Sequence, residues 1–163
     1  MRRFGSIALC AAVLLSSPFA YAAQPTLVIL PVDRGELPKD SVDGFDRAIR
    51  QEVARALPGV RLLSTPALDF SSMQLAAGCD DAGPMCLANI GRTLGATRIV
   101  HLALQGSRAK ATLRVTSVIT KSTKASESVI DVRDVGPDAR GELAWRVGRA
   151  LGSKRAAPAG KIV

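Results

Sequence analysis

From residue 98 to 135 the chain spells out an antiparallel sheet. Arg98 to Gln105 (RIVHLALQ) is nearly continuous in apolar residues, and Gly106-Ser107 interrupt it. From Ala109 to Thr120, Ala111, Leu113, Val115 and Ile119 then alternate with Thr112, Arg114 and Thr116. A period of two with one wet face marks an antiparallel strand, because successive side chains leave opposite faces of the pleat. A turn at Lys121 to Lys124 leads to a third run, Glu127 to Val135, in which Ile130 and Val132 oppose Asp131 and Arg133. Three such runs predict a meander, and its apolar face requires other elements to cover it.

Those elements lie on both sides in sequence. Thr26 to Val32 (TLVILPV) is an unbroken β-rich run ending in the breaker-rich stretch Asp33 to Lys39, which predicts a buried strand and a loop. Val42, Phe45, Ile49, Val53, Ala56 and Leu57 recur at helical spacing with Arg47, Gln51 and Arg55 opposite; Asp40 or Ser41 can cap this helix and Pro58-Gly59 end it. Val60 to Ser64 reads as a short strand. Thr65 to Gly83 is a polar connection with a brief helical piece around Met73 to Ala77. Pro84 to Leu94 reads as a helix closed by Gly95, and Asp138 to Gly152 as a last helix with Leu143, Val147, Ala150 and Leu151 on its apolar stripe. Ser153 to Val163 has no pattern and reads as a mobile basic tail. The order β-α-β-α-β-β-β-α predicts one α/β (α+β) domain over residues 23 to 152, with helices packed on a mixed sheet. The first two strands should be parallel through a right-handed crossover.

Residues 1 to 22 have the order of a secretory leader. Arg2 and Arg3 precede the apolar run Ile7 to Leu15, Pro18 breaks it, and Ala20-Tyr21-Ala22 offers small residues for cleavage after Ala22 or Ala23. Cys10 reads as an apolar residue of the leader, since Leu9 stands where a lipid-attachment site needs a small residue. Beyond the leader nothing approaches the ~20 apolar residues of a membrane span. The expected location is the bacterial periplasm or the cell exterior. At 47% hydrophobic but 4% aromatic residues, the core must be aliphatic.

Two cysteines remain, Cys79 and Cys86, flanking Asp80-Asp81-Ala82-Gly83-Pro84-Met85. In an oxidising compartment such a pair across a turn-rich segment predicts a structural disulfide. A redox site is the alternative, because Pro84 suits the first turn of a helix and would set Cys86 near its positive end. Six intervening residues, two of them acidic, depart from the two-residue spacing of thioredoxin-like sites. Zinc is disfavoured, since the pair and His101, the one histidine, leave its ligand set short.

No catalytic set, metal or cofactor is expected. Gly91 to Gly95 lacks the spacing and lysine of a phosphate loop, and no serine sits in a nucleophile elbow. Asp43 and Asp46 are helical neighbours able to face a cation, although acidic residues also belong at a helix start. Losing Arg2 and Arg3 with the leader lowers the formal charge from +8 to +6. Export argues against nucleic acid, and Arg98, Arg108, Lys110, Arg114, Lys121 and Lys124 are dispersed without interleaved aromatics. A basic exported domain finds anionic envelope components or acidic partners instead. Trp145 falls away from the apolar stripe of the last helix, near Arg149; together they form a candidate partner surface, and packing of the ring against a loop is the alternative.

LVILPV, VRLLS and CDDAGPMCLANIGRTLGATRIVHLAL together resemble the amino-terminal domain of the TolB type and CsgG-like envelope domains, over about residues 26 to 152. In them a helix ending in Leu-Gly-Ala leads into a core strand and a strand meander. The paired cysteines resemble those of small exported proteins of GC-rich Gram-negative bacteria such as myxobacteria. The resemblance implies a non-enzymatic interaction or assembly domain that binds a protein or cell-envelope component. No propeller repeats or pore-forming hairpin accompany it, so transport is not implied. A thiol-disulfide protein using Cys79 and Cys86, or an accessory subunit of an envelope complex, are the other readings.

Overall fold

The computed structural model describes residues 24–35, 37, 39–65, 67–107, 110–132, 139–154 and 156, with backbone alone at 40, 41, 43, 107 and 110. The leader with Ala22 and Ala23, Arg133 to Asp138, and residues 157 to 163 of the tail lie outside the described residues.

The elements are β1 (Thr26–Ile29), α1 (Lys39–Ala56), β2 (Arg61–Leu62), α2 (Phe70–Ala76), α3 (Pro84–Thr93), β3 (Arg98–Ser107), β4 (Lys110–Ile119), β5 (Ala125–Val132) and α4 (Arg140–Ala150). They build a mixed five-stranded sheet in the order β2-β1-β3-β4-β5. β1 pairs in parallel with β2 and with β3, while β3, β4 and β5 form the antiparallel meander. The sequence pattern carries the crossover and the meander. It does not carry the insertion of β1 between β2 and β3.

Alternation along the strands divides the core in two. Leu27, Ile29, Val100, Leu102, Leu104, Leu113 and Val115 meet α1 and α4 through Phe45, Ile49, Leu143 and Val147. Val28, Leu30, Ile99 and Val118 point the other way, against Met73 of α2 and Leu87 and Ile90 of α3. Phe45, 1% exposed, is the largest of the fully buried side chains, and its truncation to alanine in such a core costs about 3–5 kcal/mol.

Several boundaries differ from the sequence reading for local reasons. β1 stops at Ile29, because Pro31 has no N–H for a ladder, although Leu30 N–H still donates to Val100 and Asp33 bridges to Ala103. α1 begins at Lys39, so Asp40 and Ser41 stand inside its first turn rather than before it. α2 begins at Phe70, three residues before the expected piece, because the Asp69 carboxylate caps it by accepting the Ser72 N–H at 2.7 Å. Ile119 is 47% exposed at the end of β4 instead of continuing the buried stripe. Ser153, read as the first residue of the tail, is 5% exposed, and its N–H donates to Gly148 at 2.9 Å.

Candidate functional site

The connection between β2 and β3 crosses the sheet on the face opposite α1 and α4, and it holds Leu75, Met85 and Leu68, three of the five exposed large apolar side chains among the described residues, the others being Val129 and Ile119. Met73 anchors α2 in the core while Leu75, on the outer side, is 83% exposed. Gly78 turns the chain at a φ of 66°, a left-handed conformation that glycine adopts at no steric cost. The Asp81 carboxylate then accepts the Gly83 N–H at 2.9 Å, and Pro84 opens α3. Cys79 and Cys86 are joined by a disulfide with their Cα atoms 5.7 Å apart, tying the end of α2 to the first turn of α3. Met85 beside the bridge is 62% exposed, and Leu68 ahead of α2 is 50% exposed. Cys86 is buried and Cys79 half-buried, so a thiolate attacking this bridge must approach Cys79.

Under α2 lies His101 of β3, 6% exposed, its ring stacked on Phe70 with centroids 4.2 Å apart. Its Nε2 has no hydrogen-bond partner among the described residues. Burial holds the imidazole pKa below its ordinary value, with the charge of Asp33 opposing that shift. The ring therefore serves as a neutral, flat support for α2. It does not join the cysteines in a ligand set, and no group of three His, Cys, Asp or Glu side chains among the described residues is placed to share a metal.

Two clefts open at the carboxyl ends of the parallel strands, where ligands of open α/β sheets bind. One, about 490 Å³, lies between Pro31, Arg50 and Leu62 to Thr65. Its charges are already engaged. Arg50 donates to Asp46 at 2.7 Å, to the Thr65 hydroxyl at 2.8 Å and to the Ile29 carbonyl at 2.8 Å, fastening α1 to the ends of β1 and β2. Asp46 is thus the counter-ion of Arg50, and the side chain of Asp43 lies outside the described residues. The second cleft, about 370 Å³, lies between the loop after β1 and the start of α2, near Asp33, Lys39 and Phe70.

Trp145 is half-buried on α4, and Arg149 is exposed one turn later, its guanidinium donating to the Ser153 carbonyl at 3.2 Å. The ring is therefore held partly within the fold, and Arg149 is engaged in closing its own helix. Leu75 and Met85, which the sequence analysis did not single out, are far more open. Leu75 falls in the brief helical piece read around Met73 to Ala77, and Met85 in the helix read from Pro84 to Leu94, whose inward face of Leu87, Ile90 and Leu94 leaves it out.

No family model matches the chain, and no curated protein matches it in sequence. Its fold is similar to that of solved structures. TolB from Acinetobacter baumannii superposes with a TM-score of 0.53 at 11% identity, over 78% of this chain and 27% of the TolB chain. A hypothetical protein from Chlamydia trachomatis gives a TM-score of 0.51 at 15% identity, over 78% of this chain and 93% of that one. The LpoB C-terminal domain from Salmonella enterica gives 0.49 at 14% identity, over 71% and 87%. The chain thus has the mixed-sheet α/β fold of a whole small protein and of about a quarter of a larger one.

Proposed function

We propose that this chain is an exported, non-catalytic interaction domain of the bacterial envelope that binds a partner protein through the disulfide-stapled α2–α3 connection. The observation that carries the reading is the pair Leu75 and Met85, 83% and 62% exposed, on the two helices that the Cys79–Cys86 bridge ties together. Exposed apolar side chains on a rigid frame supply contact area with little ordering cost on binding. The leader read in residues 1 to 22 and the disulfide chemistry of the pair support an oxidising compartment outside the cytoplasm.

The test is site-specific photo-crosslinking in the producing cell. A photoreactive residue at position 75 or 85 should give a discrete adduct, and one at Gln51, exposed on α1, should not. Adducts from position 51 alone, or none from 75 and 85 while the chain is exported and oxidised, would overturn the reading. Intact mass of the exported chain, with and without alkylation, checks the compartment separately. A chain beginning near Ala23, lighter by two hydrogens and unlabelled, is the expected result.

A further inference from the structure

While Arg34, Lys39 and Arg140 lie toward one end of the molecule, part of the basic residues that look scattered along the sequence are gathered by the topology at the other. Backbone hydrogen bonds draw that end together: Arg61 N–H donates to Pro25, Thr97 to Thr26 and Thr120 to Thr97. The Arg92 guanidinium reaches the Thr120 carbonyl at 3.0 Å, and that of Arg98 reaches the Leu151 carbonyl at 3.1 Å. The start of β1, the start of β2, the ends of α3 and α4 and the turn between β4 and β5 therefore share one pole. Arg61, Arg92, Lys121, Lys124 and Lys154 are exposed there. Five strands at about 4.8 Å spacing make this pole about 19 Å wide.

Part of this charge has a local explanation. Arg55, Arg92 and Arg149 stand in the last turns of α1, α3 and α4, where a cation offsets the helix dipole. Arg61 opens a strand, Lys121 and Lys124 sit in a turn, and Lys154 follows the last helix, so that account does not reach them. None of these four is paired with a carboxylate among the described residues. Glu52 at this end is paired with Arg55, and Glu127, part-way along β5, with Arg114. The other described acidic residues, among them Asp33, Asp69, Asp80, Asp81 and Glu142, belong to loops and helix starts at the opposite end or to β5 near its close.

We infer that this basic pole lies against an anionic lipid surface. Two observations favour lipid over another polyanion. Ile119 is 47% exposed at the start of the turn bearing Lys121 and Lys124, an apolar side chain among cations that suits the boundary between headgroups and acyl chains. No aromatic side chain among the described residues stands at this pole for a base to stack on. The inference takes from the envelope reading only the presence of a membrane; the surface itself is read from the topology.

The test is co-sedimentation of the exported chain with vesicles of phosphatidylcholine alone, or with about a third phosphatidylglycerol, at low and high salt. Binding should require phosphatidylglycerol and fall with salt. Lys121→Glu with Lys124→Glu should weaken it by roughly twentyfold or more, at about fivefold for each cation removed. Arg34→Glu with Arg47→Glu makes the same change in net charge away from the pole and should cost far less. Equal losses from the two double variants would show that net charge alone is read, and would overturn the inference. So would indifference to phosphatidylglycerol, or tighter retention on duplex DNA at the same salt. Vesicle binding without crosslinks from positions 75 and 85 would sink the protein-partner reading and leave this one standing; the reverse pattern would do the opposite.

Discussion

The imidazole of His101 and the ring of Phe70 lie face to face, planes 23° apart, and through this contact the first turn of α2 rests on the sheet. Stacking at this spacing is favourable between flat, uncharged rings. Because burial depresses the folded-state pKa, the unfolded chain binds the proton more readily than the folded one. Stability is then fully present above the ordinary histidine value of about 6.5 and is lost as pH falls below it, until the folded-state pKa is passed. Thermal unfolding of the oxidised protein between about pH 7 and pH 5 should show this fall. In His101→Leu the fall over that window should shrink; an undiminished slope would assign it to other groups.

Gly91 in α3 has no room for a side chain. A Cβ there would stand 2.5 Å from the Thr120 methyl and 3.2 Å from the Ile99 Cβ, so α3 touches β3 and the end of β4 through the bare glycine. Gly91→Ala is expected to destabilise by about 1–3 kcal/mol, the usual cost of overpacking. Thr120→Ser removes the nearer methyl yet keeps the hydroxyl that donates to the Ala96 carbonyl at 2.8 Å. The double variant should therefore recover part of the loss in denaturant unfolding. Additive losses would show that Ile99, not Thr120, sets the limit.

The Cys79–Cys86 bridge closes a short loop, with a sequence separation of 7. Loop-closure entropy alone assigns it about 2.5 kcal/mol. Its structural effect should be local, because α2 is a short helix whose buried anchor is Met73, whereas the sheet and α1 are fastened independently. Replacing both cysteines by serine should lower stability by about that amount and speed amide exchange in Phe70 to Ala76, with β3 and β4 unchanged. Loosening of the whole sheet would show instead that the bridge organises the domain.

Legibility followed the range of the interactions. The β3–β5 meander was readable because Leu113, Val115, Ile130 and Val132 obey a local period of two. α3 was readable because Pro84 and Gly95 punctuate it and Leu87 and Ile90 share a face. β1 lying between β2 and β3 is a pairing across 71 residues, Thr26 with Thr97, that no local pattern encodes. The polar serines after Asp69 hid the start of α2. The site was harder to see for the same reason. Trp145 attracts attention by residue type, but its exposure depends on tertiary packing, while Leu75 and Met85 emerge only once Met73 and Cys86 are seen to take the buried positions. The basic pole is wholly a product of topology.

Thr123 has a φ of 54°, in the left-handed region, between Lys121 and Lys124 in the β4–β5 turn. A β-branched side chain is the least suited to that conformation, which costs an ordinary residue about 1–2 kcal/mol. The turn holds it because the Thr123 N–H donates to Ile119 at 2.9 Å and Ile119 N–H donates to Lys124 at 2.9 Å, closing the hairpin tightly. Glycine relieves the strain but adds freedom to the unfolded chain, so part of the gain is offset. Asparagine tolerates the left-handed region with less of that offset. Thr123→Asn is expected to raise stability by about 0.5–1 kcal/mol, and Thr123→Gly by less. Chemical denaturation of both variants checks this, and a loss in both would mean that the threonine methyl or its hydroxyl bond to Ser122 contributes more than the backbone strain removes.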